Sequence, residues 1–578
     1  MQPAAAQKRF YVFFLLIAAI YVFLLAQFRW TPERRAQIID SDGKGYHAYL
    51  KTLFIDHDFG REPFDADYHV FSKGGRLNKY TAGVALMQSP FFAAACAWAK
   101  AGGFAVDGVS LPFQVMVSVA GLFYFLAGLF FLRKILLRFG SSEMQATFIL
   151  FVAAMGTPLL HYTVMGAALS HVYSFFLVTL FIYFSLRLKE DWSLKSWSLL
   201  ALAAGLIVLV RPLNGLVLLL APAFAGDRLF FAEFFALLKR PRKLFLPLLI
   251  FILPLSVQLF LWHAQTGRWI EWSYQGEGFY FSQPQFSEVF VSARKGLLVY
   301  YPVLIPCFLG LFSWREARPA TFWWTSIFLL LLSWLLASWW CWDYGESFGM
   351  RPFTDFMGLF LLLLAAALQW KSKWGRGAVV ALAVLASALN IIYTYQFNTG
   401  ILARSAMTAE KLRYIFLRTG ENYREALGGV NDLPPYAPEG LQPWKECKLD
   451  YAAEPQGLKN AAGQEFPGGC EFFVDERLNG AAAFFTRIRF DKKIAEASAA
   501  KDALIVVHVV DAKGVNKHYN TYRFKQLPQE PVNEWRTEEH AITTVAPLSA
   551  GDKISVYLYN PQKESFLLDG LEVRVFYP

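Results

Sequence analysis

Apolar residues gather into long runs separated by short polar breaks over the first four hundred residues, and then give way to short alternating stretches. Runs near 10–28, 113–138, 144–163, 168–187, 243–262, 297–312, 320–340, 352–369 and 377–397 read as long enough for a helix to cross a hydrocarbon core of about 30 Å. The run 196–225 is interrupted by Arg211-Pro212-Leu213-Asn214, and reads as two short helices that enter and return, turning near Arg211. Counting both arms predicts about eleven transmembrane helices. Between the first two runs, 45–56 and 80–101 carry apolar residues at helical spacing on either side of a Gly-rich polar stretch around Ser72–Asn78. Residues 29–112 therefore read as an outer loop with juxtamembrane helices, and 398–427 as an amphipathic helix leading out of the membrane.

The period changes near residue 428. Pro434, Pro435, Pro438 and Pro443 mark a linker over 428–445. Strand-like runs follow at Glu471–Val474, Ala482–Phe490, Ala503–Val510, Tyr519–Phe524, His540–Val545, Lys553–Tyr559 and Leu571–Tyr577. The pattern thus predicts a multi-pass α-helical membrane region over 1–427 and a β-sandwich over 446–578. The sequence Asn560-Pro561 followed by Leu567-Leu568-Asp569-Gly570-Leu571-Glu572-Val573 is similar to the closing strands of jelly-roll, carbohydrate-binding-type modules.

Composition agrees with this reading. Of 578 residues 55% are hydrophobic and only 17% charged, with a mean hydropathy of +0.33, which excludes a disordered chain and an ordinary soluble one. The net charge of +10 sits mostly in short loops: Lys8 and Arg9; Arg133, Lys134 and Arg138; Arg187, Lys189 and Lys195; Lys239 to Lys243; Arg315 and Arg318; Lys371 to Arg376. Such loops stay in the cytoplasm. All of them fall on one side if 196–225 is a hairpin, with the N-terminus inside and the C-terminus outside. Basic stripes with interleaved aromatics are not apparent, so nucleic acid is not an expected partner. Ala26-Gln27-Phe28-Arg29 is a poor small-residue cleavage site, so the first run reads as a retained anchor.

Of five cysteines, Cys96, Cys307 and Cys341 lie in or beside apolar runs, and no metal-ligand spacing emerges. Outside the cytoplasm Cys447 and Cys470 can pair, a cross-link contributing about 3 kcal/mol; free buried thiols are the competing reading.

On this topology the polar residues that interrupt the apolar region collect at the outer face. Asp40 and Asp42 stand in Asp40-Ser41-Asp42-Gly43-Lys44-Gly45-Tyr46, just beyond the first span. Lys79 precedes a juxtamembrane helix, Arg211 breaks a run, Arg294 and Lys295 precede one, and Asp343, Glu346, Arg351 and Asp355 flank another. Ionisable groups at such depths are costly and tend to be functional. Outer-face Arg and Lys also run against the charge rule, and an anionic ligand accounts for them. Each has a plain reading as well. Asp40 or Asp42 can start a helix, the cations can snorkel, Arg351 can pair with Asp355 four residues on, and His171 can be a satisfied structural histidine. The cluster Trp339-Trp340-Cys341-Trp342-Asp343-Tyr344 reads as an interfacial aromatic belt or as stacking surface for sugar rings.

These residues resemble the GT-C superfamily of polyprenyl-phosphate-sugar glycosyltransferases, in the branch near protein O-mannosyltransferases and lipid A aminoarabinose transferases. The resemblance covers roughly residues 1–400. It rests on Asp42-Gly43-Lys44-Gly45-Tyr46 beside an Asp-x-x-x-Tyr pattern, on Lys79-Tyr80-Thr81 beside a Lys-x-Pro pattern in which Thr81 replaces Pro, and on the Arg211 hairpin. It implies an inverting transfer of one sugar from a polyprenyl-phosphate donor to a glycan, lipid or protein acceptor outside a bacterial cytoplasmic membrane. Asp42 is then the expected base, with Asp40 as its alternate. Lys79, Arg211, Arg294 and Arg351 are the expected donor-phosphate contacts, and Tyr46, His171 and Glu346 the expected substrate contacts. A divalent cation can share the electrostatic work. The rival readings are a lipid-linked-sugar transporter or flippase, and a non-catalytic glycan-binding or assembly protein.

Overall fold

The computed structural model describes residues 3–32, 34–58, 68–72, 75–274, 277–405, 407–424, 441–450, 459–481, 483–496, 500, 503–524 and 532–577. The chain folds as two compact units. One comprises Met1–Gln275, Gly296–Trp334 and Phe348–Thr394; the other comprises Gly276–Lys295, Leu335–Ser347 and Tyr395–Pro578.

The first unit is helical. Among the described residues, six helices are long and apolar enough to cross a membrane: Gln7–Phe28, Leu111–Arg138, His171–Glu190, Pro241–Thr266, Pro319–Ala337 and Lys373–Thr399. A seventh span arises if the bent pair Pro212–Ala225 and Asp227–Leu238, which turns through 112° at Gly226, is counted as one. The chain is a multi-pass membrane protein, and of the about eleven crossings expected, six or seven are helices of that length among the described residues. The remaining runs are broken by their own sequences. Run 144–163 divides at Gly156-Thr157-Pro158 into Glu143–Met155 and Leu159–Val164, and run 352–369 opens as a 3₁₀ turn, Arg351–Phe356, before the helix Met357–Ala367. At 1.5 Å per residue, an eleven- to thirteen-residue helix reaches about 20 Å.

Arg211 breaks its run for a local reason. The residue before a proline is pushed out of the α region, and Arg211 takes φ −150° and ψ 110° between the helix Leu194–Val210 and the 3₁₀ segment Pro212–Leu219. Ahead of the site, the helix Asp42–Lys51 runs into a π turn, Thr52–Asp56. The stretch around Ser72–Asn78 forms an antiparallel hairpin of β1 (His69–Ser72) and β2 (Gly75–Asn78), and Gly83–Gly102 follows as a helix. The amphipathic helix expected over 398–427 is corrected: Gly400, at φ +79°, ends the preceding helix, and among the described residues only Ala409–Ile415 and a 3₁₀ turn Glu421–Tyr423 are regular before residue 425.

The second unit holds two antiparallel sheets around one apolar core. One sheet orders β5 (Gly468–Phe473), β10 (Lys553–Tyr559), β7 (Leu504–Val510) and β8 (Asn516–Arg523). The other orders β3 (Gln442–Leu449), β11 (Phe566–Tyr577), β6 (Ala483–Ile494) and β9 (Trp535–Val545), with β4 (Lys459–Asn460) also on β11. Phe484, Ile488, Val507, Ile554, Val556 and Val573 fill the space between them. β3 is the strand the sequence concealed. Its first residues fall in the proline-marked stretch, and Pro443 is tolerated because β3 is an edge strand whose register shifts beside it, between Val575 and Phe576 of β11. Pro434, Pro435 and Pro438 lie outside the described residues. Cys447 of β3 and Cys470 of β5 are joined in a disulfide that links the two sheets.

Candidate active site

Asp42 occupies the first turn of its helix, preceded by Ser41 at φ 53° and ψ −140°. A non-glycine residue there costs about 1–3 kcal/mol, and such strain clusters at functional sites. The Asp42 carboxylate does not close the helix end. Its Oδ2 lies 3.1 Å from Nη1 of Arg351, and its Oδ1 accepts a 2.8 Å hydrogen bond from the Tyr80 hydroxyl. The side chain keeps 24% of its exposure. Burial acts to raise the Asp42 carboxyl, but Arg351, the Tyr80 hydroxyl and Lys79 together hold it below the ordinary carboxylate value.

The surroundings fix Tyr80 as firmly as Asp42. Asn78 donates to the Gly45 carbonyl at 2.7 Å and accepts from the Tyr80 amide at 3.0 Å, and Tyr49 donates to the Tyr80 carbonyl at 2.7 Å. The rings of Tyr46 and Tyr80 are 4.9 Å apart, and the Tyr46 hydroxyl is hydrogen-bonded to Ser170. Gly45 is required for this packing, because a Cβ there would strike the Tyr80 ring and approach Tyr68 Cβ to 2.8 Å. Gly45→Ala is expected to cost about 1–3 kcal/mol through overpacking, read as a lower melting midpoint, and to displace the Tyr80 hydroxyl from Asp42. Tyr80→Phe removes the hydroxyl alone and should leave the midpoint nearly unchanged.

Behind this pair lies a second carboxylate. Asp355 is fully buried, and receives Asn214 Nδ2 at 2.7 Å, Arg211 Nη1 at 3.1 Å and His171 Nδ1 at 2.7 Å. Asn214 also bonds Ser174 at 3.2 Å. The alternative reading of Arg351, a pair with Asp355, does not form. These residues lie in a 3₁₀ turn of three residues per turn, so positions four apart diverge, and Arg351 turns to Asp42 while Asp355 takes Arg211 and His171.

The structure thus brings Asp42, Tyr46, Lys79, His171, Arg211 and Arg351 into one polar region of the first unit, with Lys79 Nζ also 5.1 Å from the Tyr274 ring centroid. Asp40 is peripheral, forming a half-exposed pair with Lys44 at 3.0 Å. Arg294 and Glu346 belong to the second unit, where Arg294 pairs with Asp343 at 2.8 Å and Glu346 lies 3.8 Å from Arg404. Sequence reasoning gave no role to Tyr80 or Asn214. Tyr80 had a signal, its place beside Lys79 at a helix start, and Asn214 had another, a polar residue in the Arg-Pro interruption. Among the described residues, no three His, Cys, Asp or Glu side chains are grouped to hold a metal ion.

No protein-family model and no curated protein matches the chain. Its structure is similar in part to the archaeal oligosaccharyltransferase AglB from Archaeoglobus fulgidus, solved with an inhibitory peptide and a dolichol-phosphate, at TM-score 0.38 and 11% identity over 68% of this chain and 56% of that one. It is similar likewise to the arabinosyltransferase EmbB from Mycobacterium smegmatis, at TM-score 0.35 and 11% identity over 97% of this chain and 64% of that one. The chain therefore spans less than two thirds of the length of either, and likeness of this degree carries no argument about activity.

Proposed function

We propose that the chain is an inverting glycosyltransferase that moves one sugar from a polyprenyl-phosphate carrier to an acceptor outside the cytoplasm, with Asp42 as base. The observation that carries this reading is a partly open carboxylate, held ionised by Arg351 and Tyr80, in a region with more positive than negative side chains. Two guanidiniums, Arg211 and Arg351, and the Lys79 ammonium face two carboxylates, Asp42 and Asp355. That surplus suits an anionic substrate.

The chemistry follows from the charges. The acceptor hydroxyl oxygen attacks the anomeric carbon from the face opposite the phosphate. As the new C–O bond forms, the bond to the phosphate oxygen breaks with both electrons leaving on the phosphate, and configuration inverts. The hydroxyl proton passes to Asp42. A carboxylate has about four lone-pair positions, so Arg351 and Tyr80 leave room for it. The low basicity of Asp42 suffices, because the hydroxyl becomes acidic once its oxygen has begun to bond to carbon. The phosphate needs no proton, only positive charge, which Arg351 and Lys79 supply and Arg211 supports from behind. Tyr46 and His171 are buried and support this assignment from behind, Tyr46 through its ring against Tyr80 and His171 through Asp355.

The test is glycan analysis of cells with and without the gene, complemented by wild type or by Arg351→Gln. Loss of one glycan on deletion, restored by wild type and not by Arg351→Gln, is the expected result. Full restoration by a stably expressed Arg351→Gln protein would remove the observation on which the proposal stands.

A further inference from the structure

We propose that the second unit carries a binding site for a neutral oligosaccharide, formed where Arg294, Trp340, Trp342 and Asp343 meet His518, Tyr519 and Asn520 of β8. These residues line a cavity of about 10 Å³. That is room for one water molecule or one hydroxyl group.

Two buried donors bear on this cavity. Among the described residues, Nε of Arg294 and Nε1 of Trp340 are buried N–H groups without a hydrogen-bond partner. A buried donor left unmade costs about 1–3 kcal/mol, so a ligand oxygen that reaches either of them is favoured. The other polar atoms are already matched: Arg294 pairs with Asp343 at 2.8 Å and donates to Asn520 Oδ1 at 2.7 Å, and Asn520 Nδ2 lies 3.1 Å from His518 Nε2.

Charge selects the class of ligand. Two cations, Arg294 and Lys295, balance two carboxylates, Asp343 and Glu288. Burial, and then the nearby Arg294, lowers the His518 imidazole to about 3, so it is neutral at physiological pH. The site as a whole is neutral, and a phosphate or carboxylate would meet Asp343 while Arg294 is paired with that carboxylate and the Lys295 ammonium is engaged by the Ser347 and Arg404 carbonyls. A sugar hydroxyl meets no such penalty.

The rim supplies surface for the rest of the sugar. Tyr519 is 41% exposed and hydrogen-bonded to Tyr557, and Phe466, 58% exposed, lies 5.7 Å from the Tyr557 ring and stacks on Tyr559 at 5.4 Å. The aromatic groups therefore continue from the cavity across the outer face of the β5-β10-β7-β8 sheet, which fits several linked sugars better than one. This goes beyond the transfer proposed for the first unit and does not depend on it.

Calorimetric titration of the full-length protein in nanodiscs tests the site, with maltohexaose, cellohexaose, mannohexaose and inorganic phosphate as probes. At least one hexasaccharide should bind and phosphate should not. Trp340→Phe, which removes the N–H and keeps a ring, and Tyr519→Ala, on the exposed rim, should each weaken that binding about tenfold or more with unchanged melting midpoints. The proposal is overturned if no hexasaccharide binds, if phosphate binds in its place, or if both variants bind as the wild type does. A failed transfer assay at Asp42 leaves all three outcomes unaffected.

Discussion

Asp42→Asn is expected to lower glycosyl transfer by about 10²- to 10⁴-fold, the range spanned by loss of a positioned general base. The amide has nearly the shape of the carboxylate and can still accept from Tyr80, but it cannot take up a proton, and it no longer neutralises Arg351. The freed guanidinium should grip the donor phosphate at least as tightly, so the loss should fall on turnover and not on donor binding. Initial rates measured against donor concentration separate the two. A variant that retains transfer within a few-fold of wild type would sink the assignment of Asp42 as base.

The pH profile is a second reading of the same residue. Because Asp42 is held below the ordinary carboxylate value of about 3.9, its basic form persists from neutral pH down through that value. Transfer should therefore stay level on the acid side until below about pH 4, and decline only as pH falls through the depressed folded value. The stability contributed by the Asp42–Arg351 pair follows the same sign: it is complete above the unfolded value and is lost on acidification through the folded one. An acid limb centred near pH 6 would mean that a different group is the base.

Asp355→Ala is expected to be the most destabilising single change, at about 3–5 kcal/mol, because it leaves Arg211 facing a buried gap without its anion. Asp355 has no exposure and holds three side chains from different segments: His171 at the start of one span, Arg211 at a chain break and Asn214 in the 3₁₀ segment after it. Removing Arg211 as well should recover part of the loss, since the cost lies mainly in the unpaired charge. Melting midpoints of the single and double variants in one detergent test this. Equal midpoints for Asp355→Ala and wild type would show that the network contributes little. Transfer should fall with the single variant too, since Arg211 and His171 lie next to the region around Arg351.

Much of this architecture was legible one segment at a time. Lys553–Tyr559 reads as a strand and is one, because alternation over seven residues in the middle of a sheet is a purely local signal. Arg211 announced a chain break because the proline after it restricts its backbone wherever it sits. Harder to see were β3, whose polar edge position masks its alternation, and the short helices at 143–164 and 304–317, whose apolar composition equals that of full spans.

Candidate residues divide along the same line. Asp42, Lys79, Arg211 and Arg351 stand out in sequence because a charge in an apolar setting is expensive anywhere, and cost can be read from composition. Their partners cannot. Arg351 has Asp355 four residues away in sequence, yet it reaches back more than three hundred residues to Asp42, because a 3₁₀ turn directs the two side chains apart. Tyr80, an ordinary tyrosine in sequence, becomes a ligand of the key carboxylate only because Gly45 lets its ring approach. The chain's own order of residues determined that it lies in a membrane, where most strands of the second unit run, and which side chains bear an unusual electrostatic cost; those follow from short-range preference and transfer energy. Which carboxylate meets which cation was decided by the tertiary structure, because contact across hundreds of residues depends on the packing of whole helices and not on any neighbour in sequence.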